Sequence, residues 1–330
     1  MKRLFNTTLL LFATLWAGSA GAQVRGFDQV GTTSFQFLTV IPNARASAMG
    51  GVASTTINTS EAVFFNPAAL SRTSRLEAGV AYLDYFSDVT VSSFSGSYTI
   101  GNFGTFAVQA QVLDYGEIQE TRADQLFRDP ATGIFNLGFT GSNVAPSAML
   151  FGISYARRLT TQFSFGLTAK YAYEDLIVES SGSVIFDGGI LFKTGLRSLD
   201  FGMMLRNFGP EVKYVDEGYP LPQIFAIGLS GMLLGDEGDA FLMPSEDHNV
   251  LFAYDLAQTR DHSQQQHLGV EYSYRSLISL RSGYKVNFDE ESWTAGFGIN
   301  VNRFKLDYSY NDFGEFLGNV QRFTFNFELQ

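Results

Sequence analysis

Hydrophobic and polar residues alternate one by one along most of the chain after residue 75. In the segment 163–173, Phe163, Leu167 and Tyr171 belong to the apolar set, whereas Thr168 and Lys170 belong to the polar set between them. Similar alternation occurs at 268–274, 278–286, 304–310 and 322–329. Because successive side chains of a strand point to opposite faces, each segment predicts a strand with one apolar and one polar face.

The alternating segments predict about fourteen strands, at the spacing typical of membrane strands. We place them near 75–85, 89–100, 103–113, 147–157, 161–174, 184–194, 198–208, 222–233, 248–257, 266–275, 277–288, 291–301, 303–311 and 319–329. A soluble β-sandwich also alternates, but such a domain has about 100 residues. Here the pattern continues for about 250 residues without a break, and tyrosines lie near strand ends, as in interfacial girdles.

The connections between these strands fall into two classes. Tight turns are predicted at Gly101-Asn102, Arg157–Thr160, Arg275-Ser276 and Asn302-Arg303, and longer links at Gly116–Ala145, Glu174–Gly182, Gly209–Leu221 and Gln258–Gln265. Short periplasmic turns and longer extracellular loops are the rule for outer-membrane barrels. Leu233–Asp247 is long but falls on the short-turn side. We interpret it as a loosely held loop, with a periplasmic partner surface as the alternative.

The N-terminus is predicted to be a secretory signal peptide, residues 1–22. It has a basic start at Lys2 and Arg3, a short apolar core at Leu9–Trp16 and small residues before Gln23. The sequence contains no Cys, which excludes a lipid-anchored cysteine, disulfides and cysteine-ligated metals. Its net charge of −11 disfavours a nucleic-acid partner. An exported, alternating, aromatic-rich chain is expected in the outer membrane of a Gram-negative-type envelope, with lipid as a partner.

The segment Pro42–Leu70 does not alternate. Ala44–Met49 predicts a short helix ending at Gly50-Gly51, and Ser60–Phe65 predicts a second short piece closed by Asn66-Pro67. A fourteen-strand barrel is too wide for its own side chains to fill. We therefore predict an all-β fold: a transmembrane antiparallel β-barrel at 75–330, with an N-terminal plug in its lumen at 23–74.

Plug residues and inward wall charges are the candidate functional residues. The plug set comprises Arg45, Met49, Gly50, Gly51, Glu61, Asn66, Pro67 and Ala68. Candidate partners of Arg45 and Glu61 in the lumen are Asp187, Asp200, Arg206, Glu271, Arg281, Lys285, Lys305 and Asp307. For most of these wall charges the simpler interpretation is hydrated lumen lining, and Asn66 is interpreted as a turn former.

Catalytic chemistry has no support in the sequence. His248, His262 and His267 lie at or near predicted loops, and no G-x-S-x-G, H-E-x-x-H or phosphate-loop spacing occurs. We expect a protein that is not an enzyme and has no cofactor or metal site.

The two plug motifs carry a family resemblance. ARASAMGG at 44–51, followed by FFNPAAL at 64–70, resembles the PorV/PorQ family of the FadL-like outer-membrane barrel superfamily. The chain differs from the family pattern at Asn58–Glu61, where paired aspartates are frequent, and at Ala69, which replaces a glycine. It also ends in Gln330, where outer-membrane barrels commonly have a terminal aromatic residue.

The resemblance implies two alternative functions. The first is an accessory of protein secretion and surface attachment, as in type IX secretion, with secretion-system or surface-anchored proteins as partners. The second is a FadL-like transporter of hydrophobic small molecules, with a hydrophobic ligand in the lumen. The sequence favours the first and does not decide between PorV-like and PorQ-like roles.

Overall fold

A computed structural model describes residues 30–128, 133–288 and 291–329. Its strands are β1 Leu76–Asp84, β2 Thr90–Ile100, β3 Gly104–Asp114, β4 Ile118–Arg128, β5 Phe135–Val144, β6 Ser147–Arg158, β7 Phe163–Asp175, β8 Ser180–Lys193, β9 Asp200–Phe208, β10 Val212–Lys213, β11 Gly218–Tyr219, β12 Ile224–Gly235, β13 Met243–Pro244, β14 His248–Thr259, β15 Gln265–Tyr274, β16 Ile278–Val286, β17 Trp293–Val301, β18 Phe304–Asp312 and β19 Asn319–Leu329. The predicted signal peptide lies outside the described residues.

Fourteen of these strands form one closed antiparallel barrel. They are β1–β3, β6–β9, β12 and β14–β19, each paired with its neighbours. The ring closes where Leu76 of β1 pairs with Leu329 of β19, and β9 joins β12 through the pair Arg206 and Ile224. The predicted fold class is thus confirmed, and all fourteen predicted strands match observed ones within four residues at either end.

The alternation places apolar side chains outside and polar side chains inside. On β7, Leu167 and Tyr171 are 59% and 50% exposed, whereas Thr168 and Lys170 between them are buried. An outward apolar face and an inward polar face are typical of a barrel that sits in lipid. No helix in the described residues is long and apolar enough to cross a membrane.

Two connections differ from their predictions. The link Gly116–Ala145 contains the antiparallel hairpin β4–β5, which pairs only with itself. Leu233–Asp247 is not a loosely held loop, because it folds back on β12. The Phe241 amide donates to the Met232 carbonyl at 2.9 Å, and the Arg197 guanidinium lies 5.8 Å from the Phe241 ring. The short β13 then pairs with β12 in parallel.

The chain before β1 fills the lumen. It contains the helix α1 Ala44–Ala48 and three 3₁₀ turns, Gln36–Thr39, Ser60–Phe64 and Pro67–Arg72, whereas helix α2 Gly314–Leu317 lies between β18 and β19. The Asn43 side chain starts α1 by accepting from the Ala46 amide at 2.6 Å. Asn66 follows the turn Ser60–Phe64, as predicted. Its side chain also begins the turn Pro67–Arg72 by accepting from the Ala68 amide at 3.1 Å.

Candidate functional site

Glycines of the barrel wall let the plug approach the strands closely. An added Cβ at Gly166 would lie 2.3 Å from the Pro67 carbonyl carbon, and one at Gly283 would lie 2.0 Å from the Gly50 amide nitrogen. The same holds at Gly189, Gly202, Gly228, Gly269 and Gly296, where an added Cβ would lie within 2.8 Å of a plug atom. The wall therefore meets the plug at positions where only glycine leaves enough room.

Gly50 and Gly51 provide the matching feature on the plug. Their φ angles are +71° and +88°, and a Cβ at Gly50 would lie 2.7 Å from the Leu268 carbonyl oxygen. Both the positive φ and the close approach to the wall require glycine here. Met49, which precedes them, is fully buried, and its carbonyl oxygen would lie 2.7 Å from a Cβ at Gly269.

Arg45 ties the plug to the wall through a buried charge network. Its Nε and Nη2 donate to the Glu271 carboxylate at 2.8 and 2.9 Å. Arg281 donates to the same carboxylate at 2.5 Å and to Asp307 at 2.6 Å. The Arg45 side chain is 17% exposed, so we expect breaking its pair with Glu271 to cost less than the about 3–5 kcal/mol typical of a fully buried pair.

Glu61 is bound by amides rather than by a wall charge. Its Oε2 accepts from Asn43 Nδ2 at 2.6 Å and from Asn326 Nδ2 at 2.9 Å. Burial raises the pKa of the Glu61 carboxyl to about 8, although the hydrogen bonds from Asn326 and Asn43 act in the opposite direction. The predicted pairing of Glu61 with an inward wall charge does not occur within the described residues.

Two wall carboxylates that the sequence analysis did not single out bind the plug backbone. Asp255 Oδ2 accepts from the amides of Ala53 and Ser54, both at 2.9 Å. Glu77 Oε2 accepts from the Ser60 amide at 2.9 Å. Asp255 and Glu77 both lie at inward positions of predicted strands, so the alternation identifies them as lumen charges. Their backbone partners in the plug are not apparent from the sequence.

The other candidate wall charges are also paired rather than simply hydrated. Asp187 pairs with Lys170 at 2.7 Å, Asp200 with Arg72 at 2.7 Å, Lys305 with Glu328 at 2.7 Å, and Lys285 with Glu291. Arg206 donates to the Leu38 carbonyl at 3.2 Å, and its guanidinium lies 5.5 Å from the Phe65 ring. All of these charges except Asp200 and Lys305 are buried, and each has a partner in the protein.

Two residues have a larger role in the contact than expected. His267 is not a loop residue: it lies buried in β15, and its Nδ1 is 2.6 Å from the Gly50 carbonyl oxygen. Asn66 is more than a turn former, because its Nδ2 donates to Ser54 within the plug at 2.7 Å and to Ile190 of β8 at 3.1 Å. Pro67 and Ala68 follow it against the wall at Gly166.

The plug separates two cavities that share no lining residue. The cavity on the long-loop side has a volume of about 380 Å³. About half of its lining residues are apolar, including Ile41, Phe65, Met204 and Phe313, and the rest are polar or charged, such as Arg206, Asp255 and Lys285. The cavity on the short-turn side, about 480 Å³, is bordered mainly by polar and charged side chains such as those of the Arg45–Glu271 network. We call the first the loop-side cavity and the second the vestibule.

Comparison with known proteins identifies the fold only. No protein-family model matches the sequence, and no curated protein sequence matches it. Among solved structures, the Ralstonia pickettii toluene transporter TbuX is 11% identical, with a TM-score of 0.57 over 87% of this chain and 98% of its own.

Two further structures give a similar result. The Pseudomonas putida toluene transporter TodX is 12% identical, with a TM-score of 0.54 over 86% of this chain and 96% of its own. The CymD monoaromatic hydrocarbon channel is 11% identical, with a TM-score of 0.55 over 90% of this chain and 99% of its own. At this level of identity the likeness concerns the fold alone, and it does not show the PorV/PorQ family. The chain has the fold of these hydrocarbon-channel barrels.

Proposed function

We propose that this protein is an outer-membrane transporter of small hydrophobic molecules. The observation that carries the proposal is the division of the lumen by the plug into a loop-side cavity, about half of whose lining residues are apolar, and a vestibule lined mainly by polar and charged residues. A volume of about 380 Å³ lies within the range of roughly 300–1,000 Å³ typical of ligand pockets. The proteins of similar fold are a toluene transporter and a monoaromatic hydrocarbon channel by name, which supports the same class of substrate.

The route follows from the polarity of the two cavities. A hydrophobic solute gains by leaving water for the loop-side cavity but loses that gain in the charged vestibule. We therefore propose that the solute enters from the long-loop side and leaves through the wall beside the cavity. The strands that border the cavity are β9, β12, β14, β15, β16 and β19.

A pair of substitutions on one strand tests this function. Ala226 and Ser230 both point inward from β12, Ala226 into the loop-side cavity and Ser230 into the vestibule. In a deletion strain that carries each variant, Ala226→Leu is expected to lower uptake of radiolabelled toluene about tenfold, the scale of a poor fit in an apolar pocket. Ser230→Leu, the matched control, is expected to retain uptake. If the deletion strain itself takes up toluene at the wild-type rate, the proposed function is wrong.

A second candidate function is attachment of secreted proteins at the cell surface, as the PorV/PorQ resemblance implies. The observation that favours it is the hairpin β4–β5, whose Phe127, Phe135 and Leu137 are all more than half exposed. Exposed apolar patches mark protein contacts in many proteins. Comparison of the surface proteome between wild type and the deletion strain decides: lost surface proteins with intact toluene uptake would favour attachment.

A further inference from the structure

The outer surface of the barrel carries an apolar recess that takes no part in sealing the lumen. It lies across β1, β2, β3, β6, β7 and β8 and has a volume of about 850 Å³. None of its lining residues borders the loop-side cavity or the vestibule. The strands at the loop-side cavity, β9, β12, β14, β15, β16 and β19, lie outside it. The recess is thus separate from the proposed transport route.

Small outward residues create the recess. They are Ala78, Gly96 and Ala169, and the register places Ala78 beside Gly96 and Gly96 beside Val108. Gly188 lies at the edge of the recess, paired with the lining residue Leu167. Aromatic residues flank them, with Phe94 and Phe186 toward the long loops and Tyr98, Phe106 and Tyr155 toward the short turns. An added Cβ at Gly96 or Gly188 would make only ordinary contacts, at 3.5 and 3.6 Å. Larger side chains are therefore sterically tolerated there, and they would fill the recess.

A cation lies at the short-turn end of the recess. Ile153, Tyr155 and Arg157 share the outward face of β6, and Arg157 is exposed near the end of the strand. It forms no hydrogen bond or ion pair within the described part of the chain. Beside it the Tyr155 ring lies 5.2 Å from the Phe106 ring, and the Tyr155 hydroxyl donates to the Phe103 carbonyl at 2.7 Å. Such aromatic clusters lie at the level of lipid headgroups.

We propose that the recess binds one acyl chain of a glycerophospholipid whose phosphate lies at Arg157. Lipid tails surround the whole barrel, so apolar contact alone would not select a ligand. Selection comes instead from the shape of the recess, which holds a chain between two aromatic rows, and from the unpaired cation at its end. The short turns are periplasmic by the loop-length rule, which assigns the lipid to the periplasmic leaflet.

Native mass spectrometry of the protein in mild detergent tests the site. We expect wild type to retain one phospholipid and the double variant Gly96→Leu/Gly188→Leu to lose it, because the side chain added at Gly96 occupies the space of the acyl chain and the one added at Gly188 narrows the recess at its edge. Ala295→Leu is the matched control: Ala295 is exposed on the outward face of β17, away from the recess, and this variant is expected to retain the lipid. Wild type without bound lipid, or a double variant with as much lipid as wild type, would overturn the proposal.

Arg157→Gln tests the headgroup contact without altering the recess. It is expected to weaken retention of an anionic phospholipid about fivefold, the equivalent of about 1 kcal/mol for one cation at a membrane surface. Unchanged retention in this variant would contradict the assignment of the phosphate to Arg157. Toluene uptake distinguishes this site from the transport route, and we expect the double glycine variant to keep it. If this variant loses toluene uptake but retains as much lipid as wild type, the recess is an exit for substrate and the lipid site is wrong.

Discussion

At the scale of single residues, the contact between plug and wall depends on glycines in both. Gly50 has a positive φ and lies against Leu268 and Tyr284, while Gly283 of the wall lies against the Gly50 amide. Neither contact tolerates a Cβ without movement of backbone, since the atoms in the way belong to the main chain. The seal is therefore specified by the absence of side chains as much as by the presence of particular ones.

Gly283→Val is expected to destabilise the plugged barrel. The added side chain would meet the Gly50 amide nitrogen at 2.0 Å from its Cβ, and overpacking of a well-fitted site typically costs about 1–3 kcal/mol. Thermal unfolding, followed as loss of the heat-modifiable form on gels, measures the effect. Gly188→Val is the control: Gly188 follows the buried Asp187 on β8, an added Cβ there makes only an ordinary contact at 3.6 Å, and the variant is expected to unfold like wild type. Equal unfolding temperatures of the two variants would refute the close contact between Gly283 and the Gly50 amide.

Glu61 is expected to make stability depend on pH. Its folded-state pKa is raised to about 8 from an ordinary value of 4.5, so the folded state binds the proton more tightly than the unfolded state. The stabilisation this provides is fully present below pH 4.5 and is lost as the pH rises through about 8. Glu61→Gln keeps a side-chain oxygen that can accept from both Asn43 and Asn326, but the new side chain does not titrate.

The measurement is the unfolding temperature of wild type and Glu61→Gln at about pH 5 and about pH 8. We expect wild type to lose more stability than the variant over this interval. A pH dependence that is the same in both proteins would show that other groups cause it.

At the scale of elements, the strands were predictable and their contacts with the plug were not. Alternation is a local property, so each of the fourteen strands could be identified from its own residues. The hairpin β4–β5 was missed because both faces of β4 are exposed and its sequence does not alternate. The contacts of Asp255 with Ala53 and of His267 with Gly50 join residues more than 200 positions apart, and no local pattern encodes such pairs.

The plug is expected to act as a fixed element, because glycine contacts and buried charges hold it on many strands. A disulfide tests this in a chain that has no Cys. Ser60 of the plug and Ser95 of β2 have their Oγ atoms 2.8 Å apart, so Ser60→Cys/Ser95→Cys is placed to cross-link plug to wall. Toluene uptake by the oxidised variant is expected to match that of the reduced variant.

Ser273→Cys/Ser279→Cys is the control for oxidation itself. These two Oγ atoms are also 2.8 Å apart, but both belong to wall strands, β15 and β16. If oxidation abolishes uptake only in the Ser60→Cys/Ser95→Cys variant, and reductant restores it, the plug must move during transport and the proposed route through the wall is wrong.

At the scale of the whole molecule, the barrel and the plug depend on each other. A fourteen-strand barrel is too wide to fill with its own side chains, and the inward face supplies the glycines and charges that hold the filling segment. The plug in turn keeps the loop-side cavity apart from the vestibule. Composition and alternation predicted this architecture, whereas the division of the lumen became apparent only from the structure.

Conductance in planar lipid bilayers tests most directly whether the plug seals the lumen. Wild type is expected to show low, rarely open conductance. A variant that lacks residues 45–61 loses Arg45, Gly50 and Glu61 together with the bonds from Asp255 to the backbone, and we expect a large, steady increase in current. Ser230→Leu, which leaves the plug sequence unchanged, is expected to conduct like wild type. Equal, low conductance in wild type and in the deletion variant would contradict the sealing role of the plug and show that the wall or the outer loops close the pore.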